Sequence, residues 1–246
     1  MHGRKAQPRP LQPDEIALCE ANLRRFGLGQ ALAVLSSAER TRARRITNRD
    51  YFAQHVKARA LLRLLLARLT GSASVRLAIA GGDGAPRLAV NPWGLHLSVS
   101  HSHSRVLVAA GGAPLGVDIE RKQTGIDWQP IADVCFHASE LTHLAHTEAA
   151  AREEAFFAIW TRKEAYLKAT GTGLGSDPAS FSILGPRDAI TPDSQAPARC
   201  WYTHTIEASA GYAAALASRA RGPRLIHFDF AQLLPTSAAT EVQQAA

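Results

Sequence analysis

Residues Phe156 to Thr170 read FFAIWTRKEAYLKAT, a stretch with helical period whose apolar side carries charges, and nothing else in the chain restricts the fold as much. At 100° per residue, Phe156, Ile159, Trp160 and Leu167 gather on one side, with Phe157 and Tyr166 at its margins. Lys163 falls near the centre of that arc, and Glu164 falls between Trp160 and Phe157. An unpaired charge on a buried face costs on the order of several kcal/mol, so both residues need a partner or a task. Lys168 lies one turn beyond Glu164 and reaches the same space. Gly171 and Gly173 follow, where a left-handed C-cap ends a helix.

Upstream, Leu115 to Glu120 alternates as a strand does. Leu115, Val117 and Ile119 share one face, and Gly116, Asp118 and Glu120 share the other. Two carboxylates therefore project side by side from a strand, next to a glycine, and Glu164 on the helix offers a third. Three acidic groups from two elements, together with lysines, have the composition of a Mg²⁺–phosphate site, because Mg²⁺ takes one or two carboxylates, waters and phosphate oxygens.

The rest of the chain frames these two elements. Met1 to Pro13 is polar and proline-rich and reads as a flexible arm; the segment from Thr236 reads as a fraying tail. Asp14 to Leu35 leads in as strand or helix, and Ser36 to Glu39 resembles a helix start. Thr47 and Asn48 are suited to cap a helix from about Arg49 to Leu69 that stops at Gly71. Its leucines point in nearly all directions, which marks a buried core helix; Arg59 lies in line with Phe52, Leu62 and Leu66 and must reach water or an anion. Val75 to Ile79 reads as a strand and Gly81 to Gly84 as a turn. Leu95–Val99 and Val106–Ala110 form a hairpin around Ser100-His101-Ser102-His103-Ser104. His96, His101 and His103 raise a metal-site reading, but no cysteine or carboxylate nearby completes a ligand set. Gly111 to Pro114 marks a boundary between two halves, Arg121 to Pro130 reads as loop, and Trp201–Ile206, Tyr212–Leu216 and Leu225–Phe230 read as closing strands.

With 246 residues, 46% of them hydrophobic, the chain is long enough for one large or two small domains. It has no apolar run long enough to span a membrane and no signal-peptide core. Cys19, Cys135 and Cys200 are scattered without metal-ligand spacing, so a reduced, cytoplasmic protein is expected. A formal charge of +7 suggests an acidic or phosphorylated partner. Arg40, Arg42, Arg44 and Arg45 read either as a solvated helix face or as a phosphate-attracting rim. A nucleic-acid-binding module with Arg40 to Arg68 as its surface is a competing reading; aromatics form only 7% of the chain and do not interleave with that segment, which leaves no stacking platform. Another Mg²⁺-dependent phosphotransferase would need a nucleotide cradle, and the glycines of Gly171 to Gly175 follow a helix instead of preceding one.

Gly116-Val117-Asp118-Ile119-Glu120 followed by Trp160-Thr-Arg-Lys-Glu-Ala-Tyr-Leu-Lys168 resembles the double signature of the 4′-phosphopantetheinyl transferases, Sfp type. The resemblance runs from about Leu35 to about Phe181. It also embraces Ala58-Arg59-Ala60-Leu61-Leu62, Ser100-His101-Ser102, and Phe136-His137-Ala138-Ser139-Glu140, where His137 replaces a capping serine. Relatives carry G-K-P where this chain has Gly84-Ala85-Pro86, so a phosphate-binding lysine is missing at Ala85 and Arg87 is the substitute at hand.

The resemblance implies an α+β fold of two similar halves packed as a pseudo-dimer, each a small, mainly antiparallel sheet with a long helix. Residues 14–114 would bind coenzyme A phosphates, and residues 115–235 would carry Mg²⁺ and the catalytic residues. It implies transfer of 4′-phosphopantetheine from coenzyme A to a serine of an apo acyl or peptidyl carrier protein, with release of adenosine 3′,5′-bisphosphate. Asp118, Glu120 and Glu164 would hold Mg²⁺; Glu164 would take the serine proton, with Asp118 and Lys168 beside it. Arg59, Ser100, His101, Lys163 and Lys168 would contact coenzyme A. The implied partners are coenzyme A and carrier proteins, with no nucleic acid or membrane, and the implied state is a monomer.

Overall fold

Local sequence signals set the ends of the two longest helices. The computed structural model of the chain describes residues 10–81, 85–172, 176–185, 189–192 and 201–234. Strand β1 (Glu15–Asn22) leads through a 3-10 turn into helices α1 (Leu28–Val34), α2 (Ser37–Ala43) and α3 (Arg49–Thr70). Short strands β2 (Ile79–Ala80) and β3 (Arg87–Leu88) precede the hairpin of β4 (His96–Ser102) and β5 (Arg105–Gly111). Then come β6 (Leu115–Arg121), α4 (Gln129–Cys135), α5 (Ala138–His146) and α6 (Ala149–Thr170). Strands β7 (Phe181–Ser182), β8 (Thr191–Pro192), β9 (Tyr202–Ile206), β10 (Tyr212–Ser218) and β11 (Arg224–His227) and helix α7 (Phe230–Leu233) follow.

Asn48 caps α3 by accepting from the Tyr51 N–H, and Gly71 ends it at φ +69°. Gly171 ends α6 in the same way at φ +72°. A positive φ strains any residue with a Cβ, and glycine removes that cost. Ser36 and Glu39 form a reciprocal capping box at the start of α2.

Two sheets organise the molecule. One has the order β11-β1-β5-β4 and the other β6-β10-β9. All their pairings are antiparallel except β1 with β11, which is parallel. Strand alternation gives each sheet two apolar faces. Ala17, Cys19, Ala21, Val106 and Val108 pack against α3 in one core. The opposite faces of the two sheets, with Ile16, Leu18 and Leu107 on one and Val117, Ile119 and Leu216 on the other, close on each other in a second core. Helix α6 covers the outer face of the second sheet: its aromatic N-terminal half, with Phe156 and Phe157, joins a third core, and Ala165 packs on Ala215 and Ala217. The layers are helix, sheet, sheet, helix, which is the α+β class expected. Each 22-residue helix serves one mainly antiparallel sheet.

The chain does not return simply. Residues after Gly222 cross back to the first sheet, where β11 pairs with β1 and Phe230 of α7 packs on Phe26 with ring centroids 5.0 Å apart. Several local expectations change as well. Helix α6 begins at Ala149, before the Phe156 start read from its apolar residues, because the alanines and charges of its first two turns carry no helical signature of burial. Val75 lies in a 3-10 turn (Ser74–Arg76), and the strand is confined to Ile79–Ala80. Pro130 sits in the first turn of α4, where its missing N–H has no intrahelical partner to lose, so the helix starts inside the segment read as loop. His137 caps α5, with its ring Nδ1 accepting from the Ser139 N–H. The turn at Gly82–Gly84, the glycines at 173–175, Cys200, most of the N-terminal arm and the tail from Thr236 lie outside the described residues. No described helix is long and apolar enough to cross a membrane.

Candidate active site

Gly116 determines how closely α6 approaches β6. A Cβ at this position would overlap the Ala165 carbonyl oxygen and lie 2.5 Å from the Ala169 nitrogen. Backbone therefore meets backbone here, and the helix residues that precede the two contacting alanines, Glu164 and Lys168, are brought near the strand residues Asp118 and Glu120.

Asp118 is 1% exposed. Its Oδ1 accepts from Lys168 Nζ at 2.5 Å and from Ser100 Oγ at 2.7 Å, and Lys168 Nζ also donates to Ser100 Oγ at 2.8 Å. Glu120 Oε2 accepts from Ser102 Oγ at 2.7 Å. The carboxyl of Glu164 is held above its ordinary value by burial and by the charge of Asp118, with Lys168 opposing. Glu120 is raised by burial and by Asp118, and Ser102, Lys168 and Glu164 also act on it. Lys168 thus pairs with Asp118, while burial first and the Asp118 charge second leave Glu120 and Glu164 reluctant to ionise.

His101 faces α3 from the neighbouring strand, with its ring centroid 6.3 Å from that of Tyr51. Burial, Lys168 and His55 push its imidazole below the ordinary value, so the ring is neutral at pH 7. The structure therefore gathers Asp118, Glu120, Glu164, Lys168 and Ser100 at the junction of β4, β6 and α6, while His101 projects from the other face of β4 toward α3, near enough to feel the Lys168 charge.

Two expected phosphate ligands lie elsewhere. Lys163 is 1% exposed, and its ammonium donates to Glu140 Oε2 at 2.6 Å and to the Phe181 carbonyl at 2.7 Å, with the Phe181 ring centroid 4.3 Å away. Glu140 also receives the Ile183 and His137 N–H groups, so the pair ties α5, α6 and β7 together. One residue of offset from Glu164 turns Lys163 about 100° away around the helix, into that core. Arg59 pairs with Glu39 at 2.8 Å and donates to the Gly81 carbonyl at 2.9 Å. Glu39 also binds the buried Arg63, so the anion Arg59 needed is a side chain of α2. Arg87 is exposed on β3, and Arg40 is spent on the Leu32 and Leu35 carbonyls.

Two further serines of β4 have roles that the Ser100-His101-Ser102 match did not assign, Ser98 and Ser102. Ser98 Oγ accepts the Val117 N–H at 3.0 Å, and Ser102 Oγ accepts the Arg121 N–H at 3.1 Å. The serines at 98, 100 and 102 alternate along β4, so all three hydroxyls face β6, and the two sheets meet here through side chains. That alternation was the available signal.

The fit to Mg²⁺ rests on Asp118 Oδ2, a buried carboxylate oxygen with no hydrogen-bond partner. A buried acceptor left unpaired costs about 1–3 kcal/mol, and more when charged, so an oxygen in this state suits a cation. Three carboxylates and one ammonium also leave two negative charges, which a divalent ion offsets. Among the described residues no three of His, Cys, Asp and Glu converge into a metal cage by themselves. Mg²⁺ does not require one, since waters and phosphate oxygens fill its shell.

Comparison with known proteins bears on this half of the molecule. The family model of the 4'-phosphopantetheinyl transferase superfamily matches residues 114–217. The chain is 36% identical over 120 residues to 4'-phosphopantetheinyl transferase psf-1 of Bacillus pumilus, covering 47% of this chain and 50% of the relative. It is 31% identical over 122 residues to 4'-phosphopantetheinyl transferase Sfp of Bacillus subtilis (strain 168), covering 48% and 52%. It is 33% identical over 150 residues to 4'-phosphopantetheinyl transferase HetI of a Nostoc species, covering 58% and 62%. The matched segments thus span about half the length of the first two relatives. Residues 114–217, which carry Asp118, Glu120, Glu164 and Lys168, are thus the part of the chain that is similar to the 4'-phosphopantetheinyl transferase superfamily.

Proposed function

We propose that this protein transfers the 4′-phosphopantetheine arm of coenzyme A to a serine hydroxyl of an apo acyl or peptidyl carrier protein, releasing adenosine 3′,5′-bisphosphate. The observation that supports this most is the unpartnered Asp118 Oδ2 beside the Lys168 ammonium, with Glu120 and Glu164 near enough to feel the Asp118 charge. Asp118, Glu120 and Glu164 would hold Mg²⁺. Bound there, the ion supplies charge neutralisation to the pyrophosphate of coenzyme A.

The chain's own groups do the rest. Glu164 is the general base: burial and Asp118 raise its proton affinity, and no described residue occupies its carboxylate through a hydrogen bond. As the carrier serine oxygen bonds to the β-phosphorus, its proton passes to Glu164. The bond from that phosphorus to the bridging oxygen breaks, and the electron pair leaves with the adenosine bisphosphate. Lys168 lies 32% exposed, so its ammonium reaches past Asp118 toward phosphate oxygens. Ser100 fixes Asp118 and Lys168 relative to each other, and the neutral His101 offers a directional hydrogen bond at the phosphates. Arg59 and Lys163 are assigned to the framework, since each is already paired with a buried glutamate.

The test is to incubate the protein with coenzyme A, Mg²⁺ and a panel of apo carrier proteins and to read intact carrier masses with and without chelator. A chelator-sensitive gain of one phosphopantetheine is expected, and Glu164→Ala is expected to slow it by about 10²-fold or more. No gain on any carrier, or a folded Glu164→Ala protein with an unchanged rate, would overturn the transfer or the base assignment respectively.

A further inference from the structure

We infer that Ser102 is a positioning residue that fixes the Glu120 carboxylate and thereby sets the affinity of the site for a divalent cation. This rests on the metal reading proposed above. A serine hydroxyl carries one proton, and at Ser102 its direction is determined by the neighbours. The Arg121 N–H donates to Oγ at 3.1 Å, so the hydroxyl proton is free to go to Glu120 Oε2, 2.7 Å away. The same relay stands one strand repeat earlier: Lys168 donates to Ser100 Oγ, which donates to Asp118 Oδ1.

Strand β4 thus engages one oxygen of each carboxylate on β6 and leaves the other, Asp118 Oδ2 and Glu120 Oε1, without a donor among the described residues. Asp118 is short, buried and held by two donors. Glu120 has a longer, freer side chain and, among the described residues, Ser102 as its hydrogen-bond partner, so ordering it costs entropy that falls on ion binding unless the protein has already ordered it. Hydrogen bonds behind a liganding carboxylate act in this way, and removing one typically costs 10–100-fold in metal affinity. Ser102 is half-buried and Arg121 is exposed, so water can serve the Arg121 N–H when the hydroxyl is removed, and the substitution leaves the fold intact.

The experiment titrates Mg²⁺ into the metal-free full chain by calorimetry, with and without coenzyme A, for wild type, Ser102→Ala, Ser102→Thr and Asp118→Asn. Ser102→Ala is expected to weaken Mg²⁺ binding by about 10-fold or more. Its metal-free melting temperature and its binding of coenzyme A in chelator are expected to match wild type. Ser102→Thr keeps the hydroxyl and is expected to restore the affinity, which a loss of packing alone would not explain. Wild-type affinity in Ser102→Ala, or Ser102→Thr as weak as Ser102→Ala, overturns the inference while Asp118→Asn still abolishes binding. If Asp118→Asn also binds Mg²⁺ as wild type does, the metal reading itself falls and takes the inference with it.

Discussion

Glu120 and Glu164 hold their protons more tightly than free carboxyls for a common reason: each is partly buried beside Asp118. This has a signed consequence for stability. Between the ordinary value of 4.5 and the raised one, the folded protein binds more protons than the unfolded chain, so stability falls as pH climbs through that window. In chelator, Glu164→Gln should therefore gain melting temperature relative to wild type as pH rises from about 4.5, and level off once the wild-type carboxyls have ionised. A difference that stays constant across this range would show that Glu164 is not crowded. Lys163 has the opposite character, being matched one-to-one with Glu140. Lys163→Met leaves a buried carboxylate unpaired and should cost about 3–5 kcal/mol in denaturant unfolding. Unchanged stability with weakened coenzyme A binding would return Lys163 to the phosphates. These two neighbours also mark what sequence discloses at this scale. Asp118 with Glu120, and Glu164 with Lys168, follow from periods of two residues and of one turn, which are local properties. The partners of Lys163 and Arg59 lie 23 and 20 residues away, at Glu140 and Glu39, on helices whose docking no local period encodes.

Helix α6 and strand β6 work as one part because Gly116 lets their backbones touch. The glycine could be read from the sequence as a small residue beside two acids, but its use could not, because the helix that occupies the space comes from beyond α4 and α5. Gly116→Ala sets a methyl group against backbone atoms that have no rotamer to change. Overpacking costs about 1–3 kcal/mol where side chains yield, and the upper end is expected here in chemical unfolding. Moving α6 outward also draws Lys168 away from Asp118, so transfer should slow even in the fraction that stays folded. Wild-type stability and rate in Gly116→Ala would show that the contact is dispensable. The shorter elements were less legible. Pro130 inside α4 and the 3-10 turn at Val75 are places where tertiary packing overrides a weak local preference.

At the scale of the whole molecule, the site lies where two sheets meet through serine side chains, and the two sheets also share an apolar interface. The layered class was legible because each long helix announces itself by its apolar residues and its terminal glycine. The return of β11 to β1 was not, since nothing in Arg224 to His227 specifies which sheet edge it joins. That return is energetically substantial. Removing residues from Pro223 onward strips a strand from the first sheet and takes Phe230, Leu233 and Leu234 out of the core. At about 1.5–3 kcal/mol for each buried side chain, the loss rivals the 5–15 kcal/mol stability of an ordinary domain. Such a truncated chain should lack a cooperative melt by circular dichroism; a transition close to that of the full chain would show that β11 and α7 are accessory. The same pairing orders events during synthesis. Strand β1 leaves the ribosome more than two hundred residues before its partner β11. Until β11 emerges one side of β1 stays open, exposing backbone donors and acceptors that invite association between neighbouring nascent chains. The first sheet is therefore begun before the second and completed after it, and its vulnerable period ends only when β11 has emerged.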